Sequence, residues 1–189
     1  MGAALAVVAK NDFGANVTLV MGPSHIASSA LVNRIDVETT EEMRSAVMQQ
    51  LSGHDIIIMS AAVSDYRIKN YSAGKLKKQT DGSAVHLDLE TTTDILQEIA
   101  KYKKPSQLII GFALESSERG EEYAQKKLAA KSLDAIVLNY FDEEGSGFSV
   151  DTNRITIYTK NGIKREFPQM SKVQCASEIL SLISELVNV

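Results

Sequence analysis

The chain carries one cysteine, Cys175, in 189 residues. No intramolecular disulfide can form, and a reducing cytoplasm is the compartment this usage favours. Positive charge is not in surplus either: 20 Lys and Arg face 24 Asp and Glu, a formal net charge of −4 with a pI near 5.4. Nucleic-acid surfaces are ordinarily basic, so that class of partner is disfavoured. No apolar run approaches the roughly 20 residues that a membrane-spanning helix needs. The opening residues place no basic region ahead of an apolar stretch, so no signal peptide is read there.

Several catalytic signatures are missing as well. There is no G-x-S-x-G nucleophile elbow, no G-x-x-x-x-G-K-[ST] phosphate loop and no G-x-G-x-x-G fingerprint. His25, His54 and His86 stand apart, without the spacing of zinc ligands, and read as surface or strand residues. Cys175 falls on the apolar side of the last helical pattern and reads as a small core residue.

What is present is a long alternation of apolar runs and helical patterns. With 44% apolar and 23% charged residues, the composition is that of one globular domain spanning 1–189. A helix over residues 2–14 ends at Gly14, which suits a left-handed cap. Strands follow at 16–21 and 33–38. Thr39 and Glu42 have capping-box spacing and open a helix to Leu51. Further strands are predicted at 55–60, 84–90, 107–113 and 134–139, with helices over 93–103 and 119–132 and a polar loop over 64–82. Asn161-Gly162 between two alternating runs predicts a hairpin, and a helix over 171–187 closes the chain. These units imply a Rossmann-like three-layer α/β fold, its sheet mostly parallel, with a C-terminal antiparallel hairpin.

Ligands of open parallel sheets bind beyond the carboxyl ends of the strands, and three segments reach that edge. The run 59–66 leaves its strand through Ser60, Ala61 and Ala62, small enough for close backbone approach, and Asp65 is its first carboxylate. Asp65 reads equally as a helix cap or a loop acid. The run 73–78 sets Lys75, Lys77 and Lys78 behind Gly74, either a loop that folds over a polyphosphate or a charged edge that resists aggregation. Phe112 could stack on a base or fill the core. Lys127 and Lys131 share one helix face, where they also complement the helix dipole. The residues by themselves leave each pair of readings open.

Taken in order, GANVTLVMGPS, MSAAVSDY, AGKLKK, TTDIL and GFALES resemble bacterial phosphopantothenoylcysteine synthetase, often the C-terminal domain of a bifunctional coenzyme A biosynthesis protein. The resemblance covers nearly the whole chain. It implies CTP-dependent ligation of 4′-phosphopantothenate to cysteine through an acyl-cytidylate, with Mg2+, in a homodimer, alongside a flavin-dependent decarboxylase. Carried over residue by residue, it implies nucleotide contacts at Met59, Ser60, Ala61 and Asp65. Lys75 becomes a catalytic flap lysine, and Thr93, Asp94, Ile95 and Leu96 match a turn in which Thr93 replaces the family's proline. Phe112, Lys127 and Lys131 complete the set; no metal ligand is implied.

Two departures accompany it. After the strand at 134–139 the family's A-N-D becomes L-N-Y, keeping only Asn139. The family also begins with a strand and an asparagine-containing S-N-x-S-S-G-K-M-G segment, whose last two residues match Met1-Gly2, so an N-terminally incomplete domain is expected. Two other readings accompany the ligase. One is an NAD(P)-dependent oxidoreductase of Rossmann type, for which Tyr123 and Lys127 have Tyr-x-x-x-Lys spacing. The other is a module that binds nucleotide without turnover.

Overall fold

Apolar β-branched runs too short for helices make the middle layer. In the computed structural model, which describes residues 1–26, 29–72, 74–75, 84, 86–143 and 150–187, the strands are β1 (Thr18–Met21), β2 (Asn33–Asp36), β3 (Ile56–Met59), β4 (Tyr66–Ile68), β5 (Leu89–Thr91), β6 (Leu108–Glu115), β7 (Ala135–Tyr140), β8 (Thr152–Thr159) and β9 (Lys164–Ser171). The helices are α1 (Gly2–Asn11), α2 (Thr40–Leu51), α3 (Ile95–Tyr102), α4 (Gly120–Ala130) and α5 (Lys172–Val187).

The main sheet has the order β3-β6-β7-β8-β9. β3, β6 and β7 are parallel, while β8 and β9 form the antiparallel hairpin that the Asn161-Gly162 turn predicts. β7 is buried along its whole length, as expected when helices cover both faces of a sheet. One face packs under α2, α3 and α4 through Met43, Ile99 and Ala124. The opposite face packs under α1 and α5 through Leu5, Val8, Ile179 and Leu182. The result is the three-layer, mostly parallel α/β architecture read from the sequence. β1 and β2 form a separate parallel pair.

The helix ends follow their sequence signals. Thr39 Oγ1 accepts from the Glu42 N–H at 3.1 Å while the Glu42 carboxylate accepts from the Thr39 N–H, a complete capping box. Gly14 takes φ +64°, the left-handed geometry that glycine adopts without steric cost, where the chain leaves α1 for β1. α3 starts at Ile95 rather than at Thr93, because Asp94 caps it by accepting from the Gln97 N–H at 3.0 Å.

The stretch 61–91 departs from expectation. Among the described residues, the only strand in the region expected at 84–90 is β5, and β5 pairs antiparallel with β4, which lies inside the predicted loop. Both strands are three residues long and mostly exposed on both faces, so neither carries the alternation that marks a half-buried strand. Bonds from the Lys69 N–H to the Asp88 carbonyl and from the Thr92 N–H to the Asp65 carbonyl, each 2.9 Å, extend the ribbon at both ends.

The amino ends of the strands are pinned by a buried carboxylate. Asp134, 3% exposed at its side chain, binds Lys103 Nζ at 2.7 Å, Lys160 Nζ and the Ile109 N–H at 2.8 Å. Burial pushes the pKa of this carboxyl up, but the two lysines and the peptide N–H outweigh it, so its pKa lies below the ordinary 3.8. With the folded value below the unfolded one, its stabilising contribution is complete above about pH 4 and is lost as the pH falls through the folded value. Asp134→Asn is expected to cost about 3 kcal/mol in urea unfolding at pH 7. The deficit relative to the parent chain should shrink as the pH drops below the carboxylate range.

Candidate active site

The site follows from one register. Met59, the last residue of β3, pairs with Gly111 of β6, so the chain leaves β3 beside Phe112. A Cβ on Gly111 would stand 2.6 Å from Leu133 Cδ1 and 3.7 Å from Leu96 Cδ1. Only glycine lets the start of α3 and the turn after α4 close over this point of the sheet.

Ser60 and Ala61 continue from β3 into an irregular run that ends in a clasp. Thr92 Oγ1 donates to the Ser64 carbonyl at 2.7 Å and the Thr92 N–H donates to the Asp65 carbonyl at 2.9 Å. The clasp delivers Thr93 and the capped end of α3 next to the segment carrying Asp65. Asp94 then has two tasks: one oxygen caps α3 and the other takes an ion pair from Lys131 Nζ. One helical turn earlier, Lys127 Nζ donates to the Phe112 carbonyl at 2.8 Å. Each contact hands the chain to the next, from Met59 and Gly111 to Phe112, Lys127, Lys131, Asp94 and Thr92.

Met59, Ser60, Ala61, Asp65, Thr93, Asp94, Leu96, Phe112, Lys127 and Lys131 thus lie on connected segments. Ile95 is placed there too, but its side chain is 4% exposed and packs in the core, which leaves its peptide group to the site. Lys75 is exposed beside Gly74, and among the described residues no contact joins it to this cluster. Lys77 and Lys78 lie outside the described residues.

The electrostatics suit an anion. The first peptide N–H groups of α3 end at this edge, where a helix presents partial positive charge. Burial works to raise the Asp94 pKa, and the bonds from Lys131 and the Gln97 N–H pull it below the ordinary 3.8. Asp94 therefore stays charged and holds Lys131 in place. The one cysteine offers no nucleophile: burial pushes the Cys175 thiol up to about 11, and its Sγ donates to the Asn153 carbonyl at 3.6 Å. The half-buried His54 ring is engaged as well, held by the Gln50 carbonyl and Thr18 Oγ1. Tyr123 and Lys127 face different partners, Tyr123 lying under the Arg119 guanidinium at 5.4 Å.

Two structural groups escape a reading of sequence. The Ser64–Thr92 clasp has no short-range signature because its halves are 28 residues apart. The Asp142 carboxylate takes bonds from the Ser117 N–H and Oγ at 3.0 and 2.8 Å, closing the loop after β6 onto the end of β7. The Asp94 cap, by contrast, was available: Asp followed three residues later by Gln is a helix-start signal.

A parallel α/β sheet whose carboxyl edge gathers small residues, a helix start and paired lysines defines a ligand-binding domain of the Rossmann-like class. Residues 1–187 match the family described as the DNA/pantothenate metabolism flavoprotein C-terminal domain, and the chain belongs to that family. It is 44% identical over 187 residues to the coenzyme A biosynthesis bifunctional protein CoaBC of Bacillus subtilis, covering 98% of this chain and 45% of that protein. The protein of the same name from Vibrio cholerae is 39% identical over 185 residues, covering 98% and 46%. The chain thus spans about half the length of these relatives. A crystal structure of the C-terminal domain of CoaBC superposes with a TM-score of 0.81 at 35% identity, covering 99% of this chain and 82% of that one.

Asp94→Ala is expected to lower the unfolding free energy by about 1 kcal/mol, the usual worth of an N-cap. Asp94→Ser, which keeps a capping oxygen but gives up the charge, should recover most of it. Chemical denaturation of the two variants measures the difference; equal losses would mean that the ion pair with Lys131, not the cap, holds the α3 end.

Proposed function

We propose that this domain is a phosphopantothenate–cysteine ligase of coenzyme A biosynthesis that uses CTP and works in the cytoplasm. The observation that carries the reading is the linked cluster of Met59, Phe112, Lys127, Lys131 and the α3 start at the sheet edge, in a chain whose CoaBC relatives are named for coenzyme A biosynthesis.

In this reading the 4′-phosphopantothenate carboxylate attacks the α-phosphorus of CTP and pyrophosphate leaves. The amine of cysteine then attacks the acyl carbon of the cytidylate, CMP leaves, and the amide forms as the amine gives up its proton. The mixed anhydride supplies the activation, consistent with a site that offers no side-chain nucleophile. Ser60 and Ala61 admit the nucleotide to the backbone, Asp65 takes hydrogen bonds from it, and Phe112 lies against the base. Lys127 and Lys131 stabilise charge that develops on the phosphates, and Lys75 closes over them from its glycine-containing loop. Among the described residues no group of three or more His, Cys, Asp and Glu could hold a metal ion. Mg2+ is therefore assigned to the triphosphate, with no step on this chain's residues.

A homodimer is part of the proposal. The family resemblance points to the C-terminal hairpin or an adjacent strand as its interface. The β4–β5 ribbon suits it better, because Tyr66 and Leu89 are each 59% exposed there and an isolated two-stranded ribbon is marginally stable alone. In the longer relatives the partner activity is the fused decarboxylase half.

Two measurements test this. Pyrophosphate release with CTP and Mg2+ should require 4′-phosphopantothenate, and Lys127→Met or Lys131→Met should lower kcat/KM by about 100-fold. CTP binding without release would instead leave a nucleotide-binding module, and NADPH binding in place of CTP would return the oxidoreductase. Lys75→Gln should lower turnover more than CTP affinity, and an unchanged rate would remove Lys75 from the mechanism.

A further inference from the structure

Asp65 combines a held backbone with an unengaged side chain. It is exposed, and among the described residues its carboxylate takes no hydrogen bond and no ion pair. Around it three consecutive carbonyls are occupied. The Ser64 carbonyl accepts from Thr92 Oγ1 at 2.7 Å, the Asp65 carbonyl from the Thr92 N–H at 2.9 Å, and the Tyr66 carbonyl from Ser64 Oγ at 2.8 Å. Water can satisfy carbonyls as exposed as these, so their hydrogen-bonding capacity alone does not call for protein donors. Ordering the chain here costs conformational entropy. What the bonds fix in return is the path by which Asp65 leaves β3.

The other half of the clasp is anchored. Thr92 follows the last residue of β5 and lies two residues ahead of Asp94, the cap of α3. α3 is seated on the sheet by Ile95 and Ile99, which are 4% and 0% exposed. Thr92 is therefore tied to a packed element, while residues 60–64 leave β3 as irregular chain. Its peptide N–H only prolongs the β4–β5 ribbon by one rung beyond the Tyr66–Thr91 pair. Its hydroxyl reaches one residue further back, to Ser64, and so joins the exit of β3 to the start of α3. We propose that Thr92 is a positioning residue whose hydroxyl sets the Asp65 carboxylate at a fixed distance from the start of α3. A carboxylate takes hydrogen-bond donors, and the helix start with its neighbouring lysines takes anions. The spacing between them then selects a ligand with hydroxyl or amino donors at one end and phosphate at the other. With CTP as that ligand, the inference rests on the ligase reading.

Calorimetric titration of CTP into the 189-residue chain and its variants tests this. Thr92→Val keeps close to the shape of threonine and removes the donor. It should raise the CTP Kd by about 10-fold, while Tm stays within about 2 °C because the lost bond is exposed. Thr92→Ser restores the hydroxyl and should recover most of the affinity. Asp65→Asn should weaken CTP to a similar degree. Adding Thr92→Val to Asp65→Asn should then cost less than about twofold more, the non-additivity expected of residues that act through one group. An unchanged Kd in Thr92→Val, a serine variant as weak as the valine one, or a full second loss in the double variant overturns the proposal and leaves the ligase reading standing. A parent chain that neither binds CTP nor releases pyrophosphate overturns the ligase reading, and this inference with it.

Discussion

Everything at the candidate site depends on the pairing of β3 with β6. The register that sets Met59 against Gly111 fixes where the chain leaves β3, and hence where Ser60 and Asp65 go. The absence of a side chain at Gly111 lets Leu96 at the start of α3 and Leu133 in the turn after α4 approach the same point. A shift of one residue would exchange the faces of β6, burying Phe112 under α3 and lifting Ile109 and Ala113 out of their core. The register is protected because both faces of β6 are packed, so hydrophobic burial maintains the alignment that polar chemistry uses.

Much of the fold was legible in the sequence because the signals were local and strong. Thr39 and Glu42 marked the start of α2 and Gly14 the exit from α1, and the buried runs of β6 and β7 carried too many apolar residues for loops. The β4–β5 ribbon was not legible, since Tyr66-Arg67-Ile68 and Leu89-Glu90-Thr91 are short, exposed and paired across more than 20 residues. Pattern methods read burial, and these strands have little.

The placement of most candidate segments at one sheet edge was legible, and their wiring was not. Each segment could be placed at the sheet edge from strand ends alone, while the partners of Lys127 and Lys131 could not. The carbonyl of Phe112 and the carboxylate of Asp94 became partners only after β6, α3 and α4 were packed. The helix-dipole reading of those lysines and the ligand reading are compatible in the structure, because Asp94 caps one helix while it holds a cation from the next. Ile95 marks the limit of a resemblance carried residue by residue: its neighbours line the edge while its own side chain is core.

Asp134 stands at the amino ends of the strands, with Lys103, Lys160 and the Ile109 peptide, and Gln107 beside it ties β6 to the end of α2 through the Leu51 and His54 carbonyls. The candidate site occupies the other end. Two ends of one sheet so differently fastened have different costs of local opening. The carboxyl edge, with loops clasped by a few exposed hydrogen bonds, can fluctuate through many openings for every one in which the anchored end lets go. A domain divided in this way can admit and release a ligand without approaching global unfolding, and substitutions at its working edge are insulated from the part that keeps the chain folded.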